Sequence, residues 1–280
     1  MEYEQIRYAV AERIATITLN RPEARNGYTV RMADELGNAL ETANADDDVR
    51  VVVLAGAGDN FCVGADLSGG SIDVSEADAD QSTWVEPATR ATRPMFNLEK
   101  PIIAAVRGAA VGVGSTMLLP ADFRIASTDS RFGFVFSQRG IYPEGGSAWF
   151  LPRLVGMGKA VEWMISGRLI PVDEALAAGL VTAVYEPDEV LDKAYELARE
   201  LIAKTAPVST AVIRQTLYRM SALDSPEGAF NLDSKLIASC GDNPDAMEGV
   251  VSFLQRRPAD FTGLVSKDQP DFLPWKGEKS

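Results

Sequence analysis

The arrangement of hydrophobic and polar residues at the start of the chain predicts strands that alternate with helices. Apolar residues recur at every second position in 6–10 and again in 16–19, which predicts two strands joined by a tight turn. From 30 to 43 they keep the spacing of an amphipathic helix. The continuous apolar run at 51–55 is typical of a buried parallel strand.

Further apolar runs extend this pattern. Residues 101–106 repeat the buried-strand composition, and residues 123–126 do so more weakly. Because such strands are joined by right-handed crossovers, the runs indicate an α/β fold with a mostly parallel sheet covered by helices. Residues 69–81 are rich in Gly, Ser and acidic residues, which is typical of a mobile surface loop, here expected beside a ligand site.

The chain after Pro143 is predicted to be helical. Glycine and proline residues separate the successive helical segments. The predicted helices cover roughly residues 145–155, 158–166, 172–178, 188–204, 207–222, 226–240 and 244–256. We therefore expect a core at 1–200 and a helical C-terminal subdomain with a tail at 201–280, whose last part, from Pro258, wraps the surface or frays.

The absence of histidine is the most informative feature of the composition. Without it the chain cannot form a Ser-His-Asp triad, a Cys-His dyad or a His-ligated zinc site, so acid–base chemistry falls to other side chains, above all carboxylates. The two cysteines form no Cys-x-x-Cys pair, and we expect no bound metal. The net charge of −13 argues against nucleic acid and membrane partners. No long apolar segment or signal sequence is present, which predicts a cytoplasmic protein.

Two glycine-bearing segments follow predicted strands and could expose backbone amides to a ligand. They are residues 60–67 and residues 107–115. Glycine permits a close approach of backbone to ligand, and a helix that starts there presents free N–H groups. The second segment does not fit a dinucleotide-binding loop, because Met117 stands where a third glycine is required and no acidic residue follows at the expected distance.

Seven motifs, spread over nearly the whole chain, resemble the enoyl-CoA hydratase/isomerase (crotonase) superfamily in order and spacing. They are NRPEARN at 20–26, FCVGADL at 61–67, AVRGAAVGVGS at 105–115, PADFRIA at 120–126, LPRLVG at 151–156, ALAAGLV at 175–181 and AMEGVVSFLQRRP at 246–258. The resemblance implies a crotonase-like spiral of ββα repeats followed by helices, assembled as a homotrimer or a dimer of trimers. It also implies an acyl-CoA substrate and no permanently bound cofactor.

The resemblance also assigns roles to residues by position. It implies that the backbone N–H groups of Ala65 and Val113 hold the thioester oxygen in an oxyanion hole, where each donor lowers the barrier to enolate formation by about 3 kcal/mol. Coenzyme A is expected along four residues, Ala24, Arg25, Val63 and Leu67. Arg25 could pair with a ligand phosphate, or it could be an ordinary solvent-facing loop residue.

The chain departs from the hydratases of this family at both of their glutamate positions, which Thr116 and Phe136 occupy. One carboxylate remains nearby, Glu144, within the sequence GIYPEGG. Its setting resembles that of the base in the family's 3-enoyl-CoA to 2-enoyl-CoA isomerases. A single carboxylate can remove a proton from C2 and return it to C4, whereas water addition benefits from two carboxylates. Aromatic neighbours, among them Phe136 and Tyr142, are expected to raise the pKa of Glu144.

Three hypotheses follow for the function. The first is an enoyl-CoA isomerase that uses Glu144 as its base and the amides of Ala65 and Val113 as oxyanion donors. The second is an enoyl-CoA hydratase, and the third is a non-catalytic acyl-CoA-binding homologue that kept the fold. Glu144 could instead merely precede the helix predicted near Gly145, where an acidic residue is favourable.

Overall fold

The protein is described by a computed structural model that covers residues 2–70 and 84–276. The strands in these ranges are β1 (Ile6–Ala11), β2 (Ile14–Leu19), β3 (Val51–Gly56), β4 (Ile102–Val106), β5 (Ala109–Val111), β6 (Phe123–Ser127), β7 (Arg131–Gly133), β8 (Leu169–Pro171) and β9 (Ala183–Tyr185). The helices are α1 (Val30–Ala45), α2 (Pro87–Asn97), α3 (Val113–Thr116), α4 (Ser147–Val155), α5 (Met157–Ser166), α6 (Val172–Ala177), α7 (Val190–Lys204), α8 (Pro207–Met220), α9 (Glu227–Ser239) and α10 (Pro244–Gln255).

A six-stranded sheet forms the centre of the fold, in the order β1-β2-β3-β4-β6-β9. β1 and β2 are antiparallel, and Glu12 and Arg13 join them with positive φ angles, as a two-residue hairpin requires. All later neighbours are parallel. Both the predicted tight turn and the mostly parallel sheet are therefore confirmed.

Helices cover both faces of the central strands, which explains why β3 and β4 are continuously apolar. On one face, Val190 and Ala194 of α7 pack against a cluster that includes Val53 and Ile103. On the other face, Leu36 of α1 belongs to the main hydrophobic core. A parallel strand buried on both sides has no polar face, so its sequence shows no alternation.

A second layer of short strands runs beside the large sheet. β5, β7 and β8 form a three-stranded sheet in which β5 and β7 are parallel. β5 follows directly after β4, and β7 follows directly after β6. Single bridges between Cys62 and Ala110 and between Tyr28 and Ala65 continue this layer. Each turn of the chain thus contributes one long and one short strand, as the predicted spiral of ββα repeats requires.

The helices predicted after Pro143 are all present, with ends within about two residues of the expected positions. The tail wraps the surface at least to residue 276, because Leu273 and Trp275 pack against Val208 of α8. The division into a core at 1–200 and a subdomain at 201–280 stays a prediction. Beyond Gly70, the predicted mobile loop at 69–81 lies outside the described residues. Within 2–70 and 84–276, no helix is both long and apolar enough to cross a membrane.

Candidate active site

The two glycine-bearing segments pair with each other through their backbones. The Cys62 amide donates to the Ala109 carbonyl over 3.0 Å, and the Val111 amide donates to the Cys62 carbonyl over 2.9 Å. A Cβ atom on Gly114 would lie 2.2 Å from the Cys62 oxygen, so only glycine allows α3 to start this close to the neighbouring segment. The pairing brings the region around Ala65 next to the start of α3.

The backbone amides of Ala65 and Val113 have no hydrogen-bond acceptor within the described ranges. The residues that flank Ala65 are bonded to Tyr28: the Tyr28 amide donates to the Gly64 carbonyl and the Asp66 amide donates to the Tyr28 carbonyl, each over 2.8 Å. Since peptide groups alternate in direction along an extended segment, the Ala65 amide points to the opposite side. Val113 is the first residue of α3, where no carbonyl within the helix is available.

Gly112 turns the backbone directly before α3, at a point where it contacts the 60–67 segment. Its φ of 57° lies in the left-handed region, and its own amide donates to the Gly133 carbonyl over 2.7 Å. A Cβ on Gly112 would lie 3.6 Å from the Cα of Gly64, which shows that the two segments are in contact here. Two amides that have no acceptor among residues 2–70 and 84–276 thus lie on adjacent segments.

Glu144 lies on the loop that leads into α4 and packs against the same region. A Cβ on the next residue, Gly145, would lie 2.7 Å from Thr116 Cγ2 and 3.2 Å from Ala88 Cβ. Thr116 is the last residue of α3, one turn after Val113. The loop of Glu144 is therefore held between α2 and α3.

Burial is the main cause that raises the pKa of the half-buried Glu144 carboxyl from 4.5 to about 7, and the nearby negative charge of Glu86 is the second. The charge of Glu144 in turn raises the pKa of a neighbouring thiol. The pKa of the Cys62 thiol is raised to about 12, mainly by burial and partly by the Glu144 charge. The rise in the pKa of Glu144 that the sequence predicted is confirmed. Part of the expected cause is wrong, because Tyr142 is 87% exposed and contributes little to the burial of Glu144.

Glu86 is a functional candidate that the sequence analysis missed. It caps α2, and its carboxylate accepts hydrogen bonds from the amides of Ala88 at 2.6 Å and Thr89 at 2.9 Å, and from the Thr89 hydroxyl. It also accepts the Gly145 amide at 2.8 Å. The pair Glu86-Pro87 is a helix-start signal, since proline is favoured at the first helical position. No local signal indicates the contact with Gly145, which is 59 residues away.

The positions where the family's hydratases have glutamates are buried. Phe136 is 2% exposed, and Thr116 is fully buried with a hydroxyl that has no hydrogen-bond partner in the described structure. The hydroxyl of the buried Ser147, which follows the Glu144 loop, is also without a partner there. Neither Thr116 nor Phe136 provides a carboxylate.

The residues predicted to line the coenzyme A path lie on two loops that meet. The Val63 amide donates to the Arg25 carbonyl over 3.3 Å, which brings Ala24, Arg25 and Val63 together. Leu67 follows four residues later and is 48% exposed. Arg25 is exposed, and its guanidinium makes no ion pair with any described residue. The ion pair of Arg21 with Asp66, at 2.8 Å, which the sequence did not reveal, holds the two loops together.

A cavity of about 320 Å³ opens beside the Glu144 loop between α2 and α4. Its lining is mostly apolar and aromatic: Thr89, Thr92, Arg93, Phe96, Gly145, Gly146, Trp149 and Phe150. The ring centroids of Trp149 and Phe150 are 4.8 Å apart, and Phe96 packs edge-on against both. In the described ranges no group of three Cys, Asp or Glu residues could hold a metal ion. The arrangement can receive an apolar group beside a carboxyl and the backbone amides of Ala65 and Val113, which have no acceptor in the described part of the chain.

Comparison with known proteins gives the family. Residues 9–264 match the model of the enoyl-CoA hydratase/isomerase family. The enoyl-CoA hydratase ACTT3 of Alternaria alternata is 35% identical over 96% of this chain and 89% of its own length. The 1,2-epoxyphenylacetyl-CoA isomerase of Escherichia coli is 32% identical over 91% of this chain and 97% of its own.

Solved structures agree with this result. The crystal structure of an enoyl-CoA hydratase from Bacillus anthracis superposes with a TM-score of 0.85 at 28% identity, and covers 93% of this chain and 100% of that one. A probable enoyl-CoA hydratase/isomerase from Mycobacterium abscessus gives a TM-score of 0.84 at 31% identity, over 92% of this chain and 98% of that one. The chain is therefore an enzyme of the crotonase superfamily and belongs to the enoyl-CoA hydratase/isomerase family.

Proposed function

We propose that this enzyme isomerises 3-enoyl-CoA thioesters to 2-enoyl-CoA thioesters, with Glu144 as the base. The observation that carries the proposal is a carboxyl with a pKa of about 7 on a loop packed against α3, whose first amide has no acceptor among the described residues. A group that titrates near neutral pH can both take up and return a proton. This is what a proton shuttle between two carbon atoms requires.

In the proposed reaction the Glu144 carboxylate removes a proton from C2 of the substrate. The electron pair of the broken C2–H bond delocalises over the thioester oxygen and the C3–C4 double bond. The amides of Ala65 and Val113 donate hydrogen bonds to the oxygen as its negative charge develops. The Glu144 carboxylic acid then delivers the proton to C4, and the double bond lies between C2 and C3. Protons and electrons balance without a metal, a redox cofactor or water.

The substrate path follows from the same residues. We propose that the coenzyme A moiety lies along Ala24, Arg25, Val63 and Leu67, with the free guanidinium of Arg25 close to its phosphates. The cavity of about 320 Å³ beside Gly145 would receive the acyl group. Its aromatic walls favour an apolar acyl chain or ring and exclude water from the reacting carbons.

Hydration is the second candidate, because several relatives bear the name enoyl-CoA hydratase. It would need a second carboxylate to hold the attacking water with Glu144. Glu86 is the acidic residue whose charge acts on Glu144, but its carboxylate already accepts four hydrogen bonds from protein donors. A carboxylate offers about four acceptor positions, so Glu86 has little capacity left for water. Isomerisation therefore fits the site better.

We also propose that the chain assembles as a homotrimer or a dimer of trimers. Large apolar side chains are exposed along α8 and α10, including Leu217 at 67%, Phe253 at 81% and Leu254 at 73%. Patches of this kind mark surfaces that a partner covers. Light scattering should give three or six times the chain mass of 30.2 kDa. A monomer at micromolar concentration would contradict this proposal.

Turnover of matched 3-enoyl-CoA and 2-enoyl-CoA substrates tests the reaction. We expect the wild-type enzyme to isomerise the 3-enoyl-CoA, and Glu144→Gln to lose at least about a hundredfold in kcat because it has no base. Glu41→Gln, at an exposed glutamate on α1 that forms no ion pair with a described residue, serves as the control. Isomerisation that survives Glu144→Gln would refute the assignment of the base. Water addition to the 2-enoyl-CoA without isomerisation would favour the hydratase.

A further inference from the structure

The Glu86 carboxylate connects two parts of the site that are far apart in sequence. It caps the start of α2 through the amides of Ala88 and Thr89, and it accepts the amide of Gly145 at 2.8 Å. Among the described residues, this is the only side-chain hydrogen bond to the backbone of residues 141–146. Glu86 thus holds the Glu144 loop at the peptide directly after Glu144.

The side chain of Glu86 is longer than a helix cap requires. Helices usually begin with Ser, Thr, Asp or Asn, whose short side chains reach only the first amides of the helix. Thr29 caps α1 in this way, and Asn243 caps α10. Glutamate is longer, and here the same Oε1 that accepts the Thr89 amide also accepts the Gly145 amide. The extra length is used to reach the Glu144 loop.

We propose that Glu86 is a positioning residue for Glu144, which fixes the backbone of the Glu144 loop and places a second carboxylate beside that loop. The proposal rests on the proposed role of Glu144 as the base. It adds a second carboxylate to the site with a different task, since Glu86 does not touch the reacting atoms.

Electrostatic surroundings support this assignment. Burial and, to a smaller extent, the charge of Glu86 together raise the pKa of Glu144 to about 7. Tyr28 and Cys62 also face Glu144, but burial raises the pKa of both, that of Cys62 to about 12, so both are neutral at pH 7. Arg93 lines the adjoining cavity and is exposed to solvent. Among these groups, removal of the Glu86 charge should therefore shift the pKa of Glu144 most.

The expected size of the effect follows from the geometry. The Gly145 amide that binds Glu86 belongs to the peptide next to Glu144, so the two carboxyls are on the order of 5–8 Å apart. Two unit charges at that separation shift each other's titration by roughly half a pH unit to one and a half units when the effective dielectric constant lies between that of a protein surface and that of water. Removal of the Glu86 charge should lower the titration midpoint of Glu144 by this amount.

Titration of Glu144 itself tests the proposal without any need for activity. Carboxyl ¹³C NMR of glutamate-labelled enzyme, with Glu144→Gln to assign the signal, gives its midpoint. In the wild type we expect about 7. Glu86→Gln, which keeps an acceptor for Gly145 but loses the charge, should lower the midpoint by roughly half to one and a half units. Glu86→Asp, which keeps the charge but shortens the side chain, should leave the midpoint closer to that of the wild type.

Activity measurements distinguish the two proposed roles of Glu86, which are to hold the Glu144 loop and to place a negative charge beside it. In Glu86→Gln the acid limb of the pH profile of kcat/KM for 3-enoyl-CoA should move down with the Glu144 midpoint. Glu86→Ala should in addition lower kcat about tenfold or more at every pH, because the loop is no longer held. Asn243→Ala is the matched control, since it removes a helix cap remote from the site. It should change neither the midpoint nor kcat.

Two results would overturn the proposal. The first is a Glu144 midpoint in Glu86→Gln equal to that of the wild type, and the second is a loss of stability in Glu86→Ala with an unchanged kcat and pH profile. Either would reduce Glu86 to a helix cap. A wild-type enzyme that lacks isomerase activity but shows the shifted midpoint in Glu86→Gln would refute the proposed reaction and leave the coupling of the two carboxyls established.

Discussion

The raised pKa of Glu144 predicts that Glu144→Gln stabilises the folded protein above neutral pH. The folded-state pKa is about 7, whereas an unfolded glutamate titrates near 4.5. Below pH 4.5 both states are protonated, and the neutral carboxyl contributes its full stability. As the pH rises toward 7, the unfolded state loses its proton first, so this contribution declines and is lost once the folded state also ionises.

The size of this stability change follows from the difference between the folded and unfolded pKa values of Glu144. A rise of about 2.5 pH units corresponds to at most about 3 kcal/mol of unfolding free energy, because each unit is worth 1.36 kcal/mol. About 2 kcal/mol of this accumulates between about pH 5.5 and pH 8. Glutamine has the shape of the protonated acid at every pH. The stability difference between Glu144→Gln and the wild type should therefore increase by about 2 kcal/mol over this interval and level off above it.

Urea unfolding followed by circular dichroism measures this difference. Both proteins should be compared at the same chain concentration, since subunit association also stabilises the folded state. Glu41→Gln at an exposed site controls for the general effect of removing one negative charge from a chain of net charge −13. A stability difference for Glu144→Gln that does not depend on pH, or that matches the control, would refute the burial and the electrostatic coupling described for this carboxyl.

Three further substitutions test other parts of the structure. Val113→Pro removes the amide hydrogen at the first position of α3, where proline is tolerated, and should lower kcat about 100- to 1000-fold. Arg25→Ala should raise the Kd for acyl-CoA about three- to tenfold, because the ligand phosphates lose a cation. Arg214→Met should lower the unfolding free energy by about 3–5 kcal/mol, because it removes a buried guanidinium and leaves the half-buried carboxylate of Asp122 without this partner at 2.8 Å.

Each of these substitutions has a control that keeps the relevant group. Val113→Ala retains the amide and should stay within about tenfold of the wild-type kcat; equal losses in both variants would remove the amide from the mechanism. Arg25→Lys retains the charge and should bind acyl-CoA better than Arg25→Ala. The stability of Arg214→Met is read in thermal unfolding, and an unchanged midpoint would show that this ion pair does not hold α8 to the core.

The sequence predicted the long elements because their patterns are extended. The apolar runs of β2, β3 and β4 are long enough to show whether apolar and polar residues alternate. Glycines and prolines mark the ends of the helices α4 to α10. The strands β5, β7 and β8 have three residues each, which is too short for any period to appear. α2 was missed because its buried face consists of Ala, Thr and Met and its interior contains Pro94, so it lacks the usual apolar stripe.

The sequence predicted the parts of the site that a local motif forms. It did not predict the parts that depend on how distant segments pack together. The glycines of 60–67 and 107–115 indicated exposed amides, because only glycine permits such a close approach. Glu144 was recognised from the residues beside it. The contact of Glu86 with Gly145 depends on how α2 packs against the loop before α4, and no sequence pattern reports the distance between two such segments.

A crystal structure with a bound acyl-CoA would locate the thioester oxygen relative to the amides of Ala65 and Val113, on which the proposed chemistry depends. We predict that the oxygen lies about 2.7–3.1 Å from both nitrogens, with the Glu144 carboxylate beside C2 and C4 of the acyl group. An oxygen that contacts neither amide, or an acyl group that lies on the far side of α3 from Glu144, would contradict the account.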